Sequence, residues 1–396
     1  MEFAVGVKMA IGNKRLREAD DEDEVVAAFL LYVEMIRRQH EAYAQLRISV
    51  ESVVSLYVHL RGGVKELFNY DIPLCKFQPQ LLCEKFFSQH FRFSHHEMDR
   101  VVLAFLNAGF PDVVRTKTRD KCGLYEALCM MCFKYAFPMR HGTMVKIFGC
   151  STCRMSRIVS ALRRLIFARF RDSIFNPRVL KPEELEVFCA AVKNKSGIST
   201  CFGFIDGTVR PICKPSVLQG ACYNGKDRRH ALKYQGVTTP DGMFLQLAGP
   251  WPGSRHDQFM VRESGIVAYL ESIPRRASDG AVYCIYADQG YSQAFGIETP
   301  YFDGAVNAQH EAFNQCMASS RITVEWAFGS IVQKWQSTAF TPSQQLLSNR
   351  KIGQVYVVAG VLCNLLNTLT RNNTSKYFGV QPPVLEVYMQ TACSPV

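Results

Sequence analysis

Three carboxylates stand out by their type and setting. Asp206 follows Phe204-Ile205 and precedes Gly207-Thr208, and Asp288 follows Tyr286-Ala287 and precedes Gln289-Gly290-Tyr291. Glu325 has Phe328, Gly329 and Val332 at i+3, i+4 and i+7. Each aspartate ends a short apolar run, which predicts a buried strand that emerges at the acid. The glycine just beyond permits a sharp exit and close approach by a ligand. The apolar company of Glu325 predicts a helix face turned to the core, where a carboxylate needs a partner or a metal because an unpaired buried charge is costly. Three hard oxygen donors suit Mg²⁺ or Mn²⁺. Two such ions can hold a phosphodiester, one activating the attacking water or 3′-hydroxyl and the other stabilising the leaving oxygen. On spacing alone a plainer arrangement stays open: two turn aspartates, and a glutamate paired with Arg321 four residues earlier.

The surrounding pattern supplies elements that can position these acids. Cys201 to Ile205 is apolar, and Leu232–Thr239 and Met243–Ala248 are strand-like around Pro240-Asp241-Gly242, which is turn chemistry. Val282–Ala287 is another apolar run, and a helix is expected over Arg321–Gln336. Strand, hairpin, helix, strand, helix is the order of an α/β domain, placed at 198–370 and followed by a C-terminal tail over 371–396. Asp257, in Ser254-Arg255-His256-Asp257, is a fourth acid. Its expected role is to cap the helix that follows over Gln258–Leu270 or to support the metal ligands from behind, with direct ligation as the alternative.

Upstream the texture is helical. Residues 1–24 hold six acids between Glu18 and Glu24 and are expected to form a disordered tail. A helix is predicted from Val25, and a capping box at Ser94-His95-His96-Glu97 opens another. Within the helical region 25–172, the stretch 124–171 has the outline of a helix-turn-helix: Leu124–Tyr135, then Met144–Phe148, the break Gly149-Cys150-Ser151, and a long pattern from Thr152 to Arg171. On that last helix Arg154, Arg157, Arg164 and Arg171 fall opposite Met155, Ile158, Val159, Leu162 and Ile166, as a groove-reading helix requires. A second basic run, Lys226, Arg228, Arg229 and Lys233, precedes the hairpin and is placed to hold phosphates. The pairs Cys129/Cys132 and Cys150/Cys153 have zinc-ribbon spacing, but the first lies within an apolar helix, so zinc is not expected.

The bulk properties agree with a nucleic-acid partner. Net charge is +11 and hydrophobic residues make up 48% of 396, so the chain has both a core and a preference for polyanions. No apolar run of about 18 residues is evident, so no membrane is expected. Basic residues follow the weakly apolar N-terminus, the reverse of a secretory signal; the 15 cysteines are therefore expected to be reduced thiols inside the cell.

The motifs as a set resemble the Harbinger-type (PIF/Harbinger) transposases, a DDE superfamily endonuclease family. The similar pieces are Ile205-Asp206-Gly207-Thr208, Pro252-Gly253-Ser254-Arg255-His256-Asp257, Ala287-Asp288-Gln289-Gly290-Tyr291, Thr299-Pro300-Tyr301, Phe313-Asn314, Arg321 through Gly329, and Pro382-Pro383 through Glu386. Trp326 stands where that family usually has a basic or small residue, and Val209 where it often has His. The resemblance implies an RNase H-like nuclease domain with Asp206, Asp288 and Glu325 as the metal-binding triad. It further implies cleavage and joining of DNA at transposable-element ends, action in the nucleus, and a Myb-like DNA-binding partner; a homo-oligomer is allowed. The alternatives are a domesticated nuclease that no longer transposes and a catalytically idle DNA-binding scaffold.

Overall fold

The structure, a computed structural model, describes residues 77–138, 141–175, 178, 180–301, 307–339, 341–346 and 351–393. The acidic stretch and the helix expected from Val25 lie outside the described residues. The described chain forms two compact units: 77–89 with 141–155, and 90–138 with 156–393.

The N-terminal part is helical: α1 (Glu84–Phe91), α2 (His95–Asn107), α3 (Leu124–Ala136), α4 (His141–Phe148) and α5 (Thr152–Phe175), with a small antiparallel hairpin of β1 (Val113–Arg115) and β2 (Lys121–Gly123) before α3. The capping box is formed: the Ser94 hydroxyl accepts from the Glu97 N–H at 3.1 Å, and the Glu97 carboxylate accepts from the Ser94 N–H at 2.7 Å. This satisfies two backbone donors that the helix start would otherwise leave unpaired. Helix α3 buries Cys129 and Cys132 completely among Leu128, Met130, Met131 and Phe133, and burial pushes both thiols up, away from the ligating thiolate. Between α4 and α5, Gly149 takes φ +58°, a turn that an L side chain resists. The expected apolar side of α5 is real: Met155, Ile158, Val159, Leu162 and Ile166 are all buried.

The second unit continues with α6 (Pro182–Ser196), which Gly197 ends in the left-handed conformation. Its sheet contains β3 (Cys201–Pro211), β4 (Tyr223–Asn224), β5 (Arg229–Thr238), β6 (Phe244–Pro252), β7 (Cys284–Tyr286) and β8 (Ile297–Glu298). Across the sheet the order is β6, β5, β3, β7, β8; the first three are antiparallel to their neighbours, β7 and β8 run parallel to β3, and β4 pairs with the start of β5. The β5–β6 hairpin closes as its residues demand: Asp241 accepts from the Thr239 hydroxyl and the Met243 N–H, and Gly242 takes φ +80°.

Helices complete the unit: the short α7 (Gln219–Cys222), α8 (Asp257–Ser264), α9 (Ile266–Ser272), α10 (Ala308–Lys334), α11 (Ile352–Leu369), α12 (Asn373–Phe378) and α13 (Leu385–Cys393). The single helix expected after Asp257 is broken in two by Gly265 at φ +69°. Helix α10 packs on β3 and β5, α11 on β6, and α8 on β5 and β6. Gly236 shows how tightly α10 docks, because a methyl added there would lie 2.7 Å from the Phe328 ring.

Two sequence expectations change. Helix α11 is 18 residues long and apolar enough to cross a membrane by length and composition, so such a run does exist. It is mostly buried, with Val357, Val358, Val361, Leu362 and Leu365 in the core, and its packing on β6 and α10 explains its hydropathy. Residues set apart as a C-terminal tail include α12 and α13, and α13 buries Leu385 and Met389 against α2 and α11.

Candidate active site

Asp206 lies in the middle of β3, paired across to Gly236 on β5, rather than at a strand end. The run looked finished at Ile205 because the unbroken apolar sequence stops there, while the strand itself continues as far as Pro211 in its hairpin with β5. Asp288 lies two residues past the end of β7, as expected. Phe204 is in register with Tyr286 on the parallel neighbour, so two residues further along, Asp206 and Asp288 reach the same level where the two strands separate. The Asp288 carboxylate accepts from the Gln289 N–H at 2.6 Å.

Glu325 is brought to the same place by α10, but it is not buried: its side chain is 53% exposed. The buried face of α10 is Met317, Ser320, Thr323, Val324, Ala327, Phe328 and Ile331, and Glu325 stands at its border. Arg321 joins the site together. Its guanidinium donates to Asp206 Oδ2 at 3.1 Å and to Glu325 Oε1 at 3.3 Å. The i−4 pairing left open by the sequence is therefore present, and it includes Asp206 as well.

The electrostatics report the convergence. Burial pushes the Asp206 carboxyl up to about 6; Arg321 and the Gly207 N–H pull it down, and the charges of Asp288 and Glu325 raise it further. Such a pocket of acids favours a cation, and the guanidinium supplies one. Among the described residues no three His, Cys, Asp or Glu side chains are grouped closely enough to ligate one ion. Asp206 and Glu325 offer the hard oxygen donors that divalent cations take, but the Arg321 guanidinium stands between them.

Asp257 is the first residue of α8, behind His256, so it is not the cap. It takes an ion pair from Lys233 at 3.1 Å instead. Methyl groups added at Gly207 and Gly290 would lie 3.3 and 3.0 Å from its carboxylate oxygens, so Asp257 sits against the glycines that flank Asp206 and Asp288. Tyr291 closes over the same spot: a methyl at Gly207 would be 3.4 Å from its hydroxyl, which is buried and has no hydrogen-bond partner. Arg321 and Tyr291 were not singled out from the sequence as members of the site, and the pairing of Lys233 with Asp257 was not foreseen. Arg321 alone had a visible signal, its i−4 spacing from Glu325.

The expected DNA-contacting residues separate into two groups. Arg164, Lys226, Arg228 and Arg229 are exposed, the last three around the β4–β5 hairpin. Arg154 is half-buried. Lys233 is committed to Asp257, and Arg157 makes a two-point pair with Asp120 at 2.7 and 3.1 Å. Asp120 also accepts from Thr116 and Thr118, so Arg157 completes a local network. Arg157→Ala should therefore destabilise the fold by about 0.5–1.5 kcal/mol, since it removes a two-point pair from a partly exposed network. Arg164→Ala should leave the melt unchanged and lower the salt slope of DNA binding by about one. Thermal melts and salt titrations of both variants check this.

Comparison with known proteins finds similarity over part of the chain. Residues 205–364 match the family described as DDE superfamily endonuclease, a segment that contains all three acids. The match agrees with the DDE-endonuclease part of the resemblance drawn from the motifs, over that segment. One relative is Protein ALP1-like of Arabidopsis thaliana, 22% identical over 164 residues, which is 39% of this chain and 40% of that protein. The chain thus matches less than half the length of that relative. No solved structure matches the chain.

Proposed function

We propose that this chain is a metal-dependent DNA endonuclease of the Harbinger transposase type, with Asp206, Asp288 and Glu325 as its metal-binding triad. The observation that carries the reading is positional: Asp206 on β3 and Asp288 just past the end of the parallel β7 each lie two residues beyond the Phe204–Tyr286 pair, and one guanidinium ties Glu325 to Asp206. Three antiparallel strands followed by two parallel ones support an RNase H-like sheet. Bound at these acids, Mg²⁺ or Mn²⁺ supplies nucleophile activation and charge stabilisation at the phosphodiester. Asp206 and Asp288 hold the site from the sheet and Glu325 from α10. Arg321 balances their charge at rest and, released, is within reach of a phosphate. Helices α4 and α5 act as a helix-turn-helix, and the exposed arginines of α5 and the β4–β5 hairpin hold the DNA backbone. Nuclear action, a Myb-like partner and transposition of an element complete the proposal.

The test is nicking of supercoiled DNA by the full chain. Nicking is expected with Mn²⁺ or Mg²⁺ and none with a chelator; inactivity with both metals and the partner protein present would leave the idle scaffold. Activity should also fall as pH drops through about 6, because Asp206 gains a proton there and stops attracting a cation. The sign for stability is opposite. A raised carboxyl pKa gives metal-free protein a contribution that is full below the ordinary aspartate range and lost as pH rises through about 6.

A further inference from the structure

Helix α10 carries two neighbouring stripes. Arg321 and Glu325, four apart, face Asp206. One residue along, Ile322 and Trp326, also four apart, face outward with 41% and 37% of their surface exposed. An exposed Ile and Trp side by side next to a charged site are poorly explained by packing. Trp326 is not loose: its ring meets Tyr377 of α12 edge-on, with centroids 5.7 Å apart. Tyr377 is in turn covered by the Lys195 ammonium, 4.8 Å from its ring. The exposed Lys376 adjoins it in sequence. The patch therefore joins a held, partly open indole to flexible cations, beside the acids that face the scissile phosphate in the proposed reaction.

We propose that Trp326, backed by Ile322 and Tyr377, is a stacking platform for an unpaired DNA base next to the scissile phosphate, with Lys195 and Lys376 holding the adjoining backbone. The inference rests on the nuclease reading and names how its substrate is gripped. The chemistry fits a base rather than another occupant. Every base has a π-face that stacks on an indole without sequence readout, and phosphates beside it are matched by ammonium groups. Inside a duplex each base face is covered by its neighbours and only the terminal pair is open, so the platform favours DNA with frayed or single-stranded ends over blunt duplex.

The experiment uses the full chain without divalent metal and two probes of equal length: a blunt duplex and a duplex with a short unpaired 3′ tail. Tryptophan emission and affinity are measured for wild type, Trp326→Ala and Trp326→Phe. Tailed DNA should quench wild-type emission, and Trp326→Ala should bind it about tenfold more weakly, the scale of one lost base stack. Its affinity for blunt duplex should change less than about twofold, and Trp326→Phe should recover most of the tailed-DNA affinity. Unequal losses of this kind cannot come from a general loss of fold, which would weaken both probes. Equal effects on the two DNAs, or no effect on either, overturn the platform while leaving the nuclease reading intact. Failure of the wild type to bind either DNA overturns both.

Discussion

Asp288→Asn should reduce DNA cleavage by about a hundredfold to a thousandfold or more, the scale for losing one group that stabilises transition-state charge. The amide keeps the size and shape of the side chain, and its oxygen can still accept from the Gln289 N–H, so the loop after β7 should keep its form. What disappears is one negative charge where the two parallel strands separate. On the proposed reading, a divalent cation at the three carboxylates would lose a ligand of the right charge and, with it, the help it would give the nucleophile and leaving oxygen. DNA affinity should stay within a few-fold, because it comes from basic side chains elsewhere. It should rise slightly without metal, since a charge that repels phosphate has gone. Nicking and binding assays run side by side on the variant decide the matter, and a variant that cuts at the wild-type rate shows that Asp288 is no ligand.

Phe328→Ala should cost about 3–5 kcal/mol, the range for truncating a buried aromatic. Phe328 is buried one turn beyond Glu325, tilted against Phe244 with centroids 5.7 Å apart, and its ring lies over Gly236, directly across from Asp206. This contact helps to set the distance between the helix that carries Glu325 and the sheet that carries Asp206. Gly236→Ala tests the same contact from the other side. Its methyl would lie 2.7 Å from the ring, so the ring or the helix that carries it must shift, at about 1–3 kcal/mol. Both variants should lower the melting temperature, and Gly236→Ala should also lose cleavage beyond what its stability explains. A Gly236→Ala protein with full activity would mean that the site tolerates displacement of α10.

The parts of this site legible in the sequence are those set by local pattern. The apolar runs before Asp206 and Asp288 announced buried strands, the α5 stripe announced its buried side, and the Ser94 capping box its helix start. What the sequence did not show depends on pairing between distant segments. The end of the apolar run at Ile205 suggested a strand end, although β3 runs on in its pairing with β5. Lys233 and Arg157 look like free basic residues in one dimension, and only the fold shows that Asp257 and Asp120 claim them. Glu325 was expected in the core because Phe328 and Val332 share its general face, yet the helix border passes between them, and the acid is open to solvent beside Arg321. The length and apolar character of α11 show how a core helix can meet a membrane criterion until its neighbours are known.

The most direct measurement is crystallography of the full chain with Mn²⁺, using anomalous scattering to place the ion. The predicted result is a peak with carboxylate oxygens of Asp206 and Asp288 about 2.0–2.2 Å away, Glu325 turned in, and the Arg321 guanidinium withdrawn from Asp206. A map with no peak at millimolar Mn²⁺, and with Arg321 still bridging Asp206 and Glu325, would contradict the account, because the three acids would then be a salt-bridge cluster and not a metal centre.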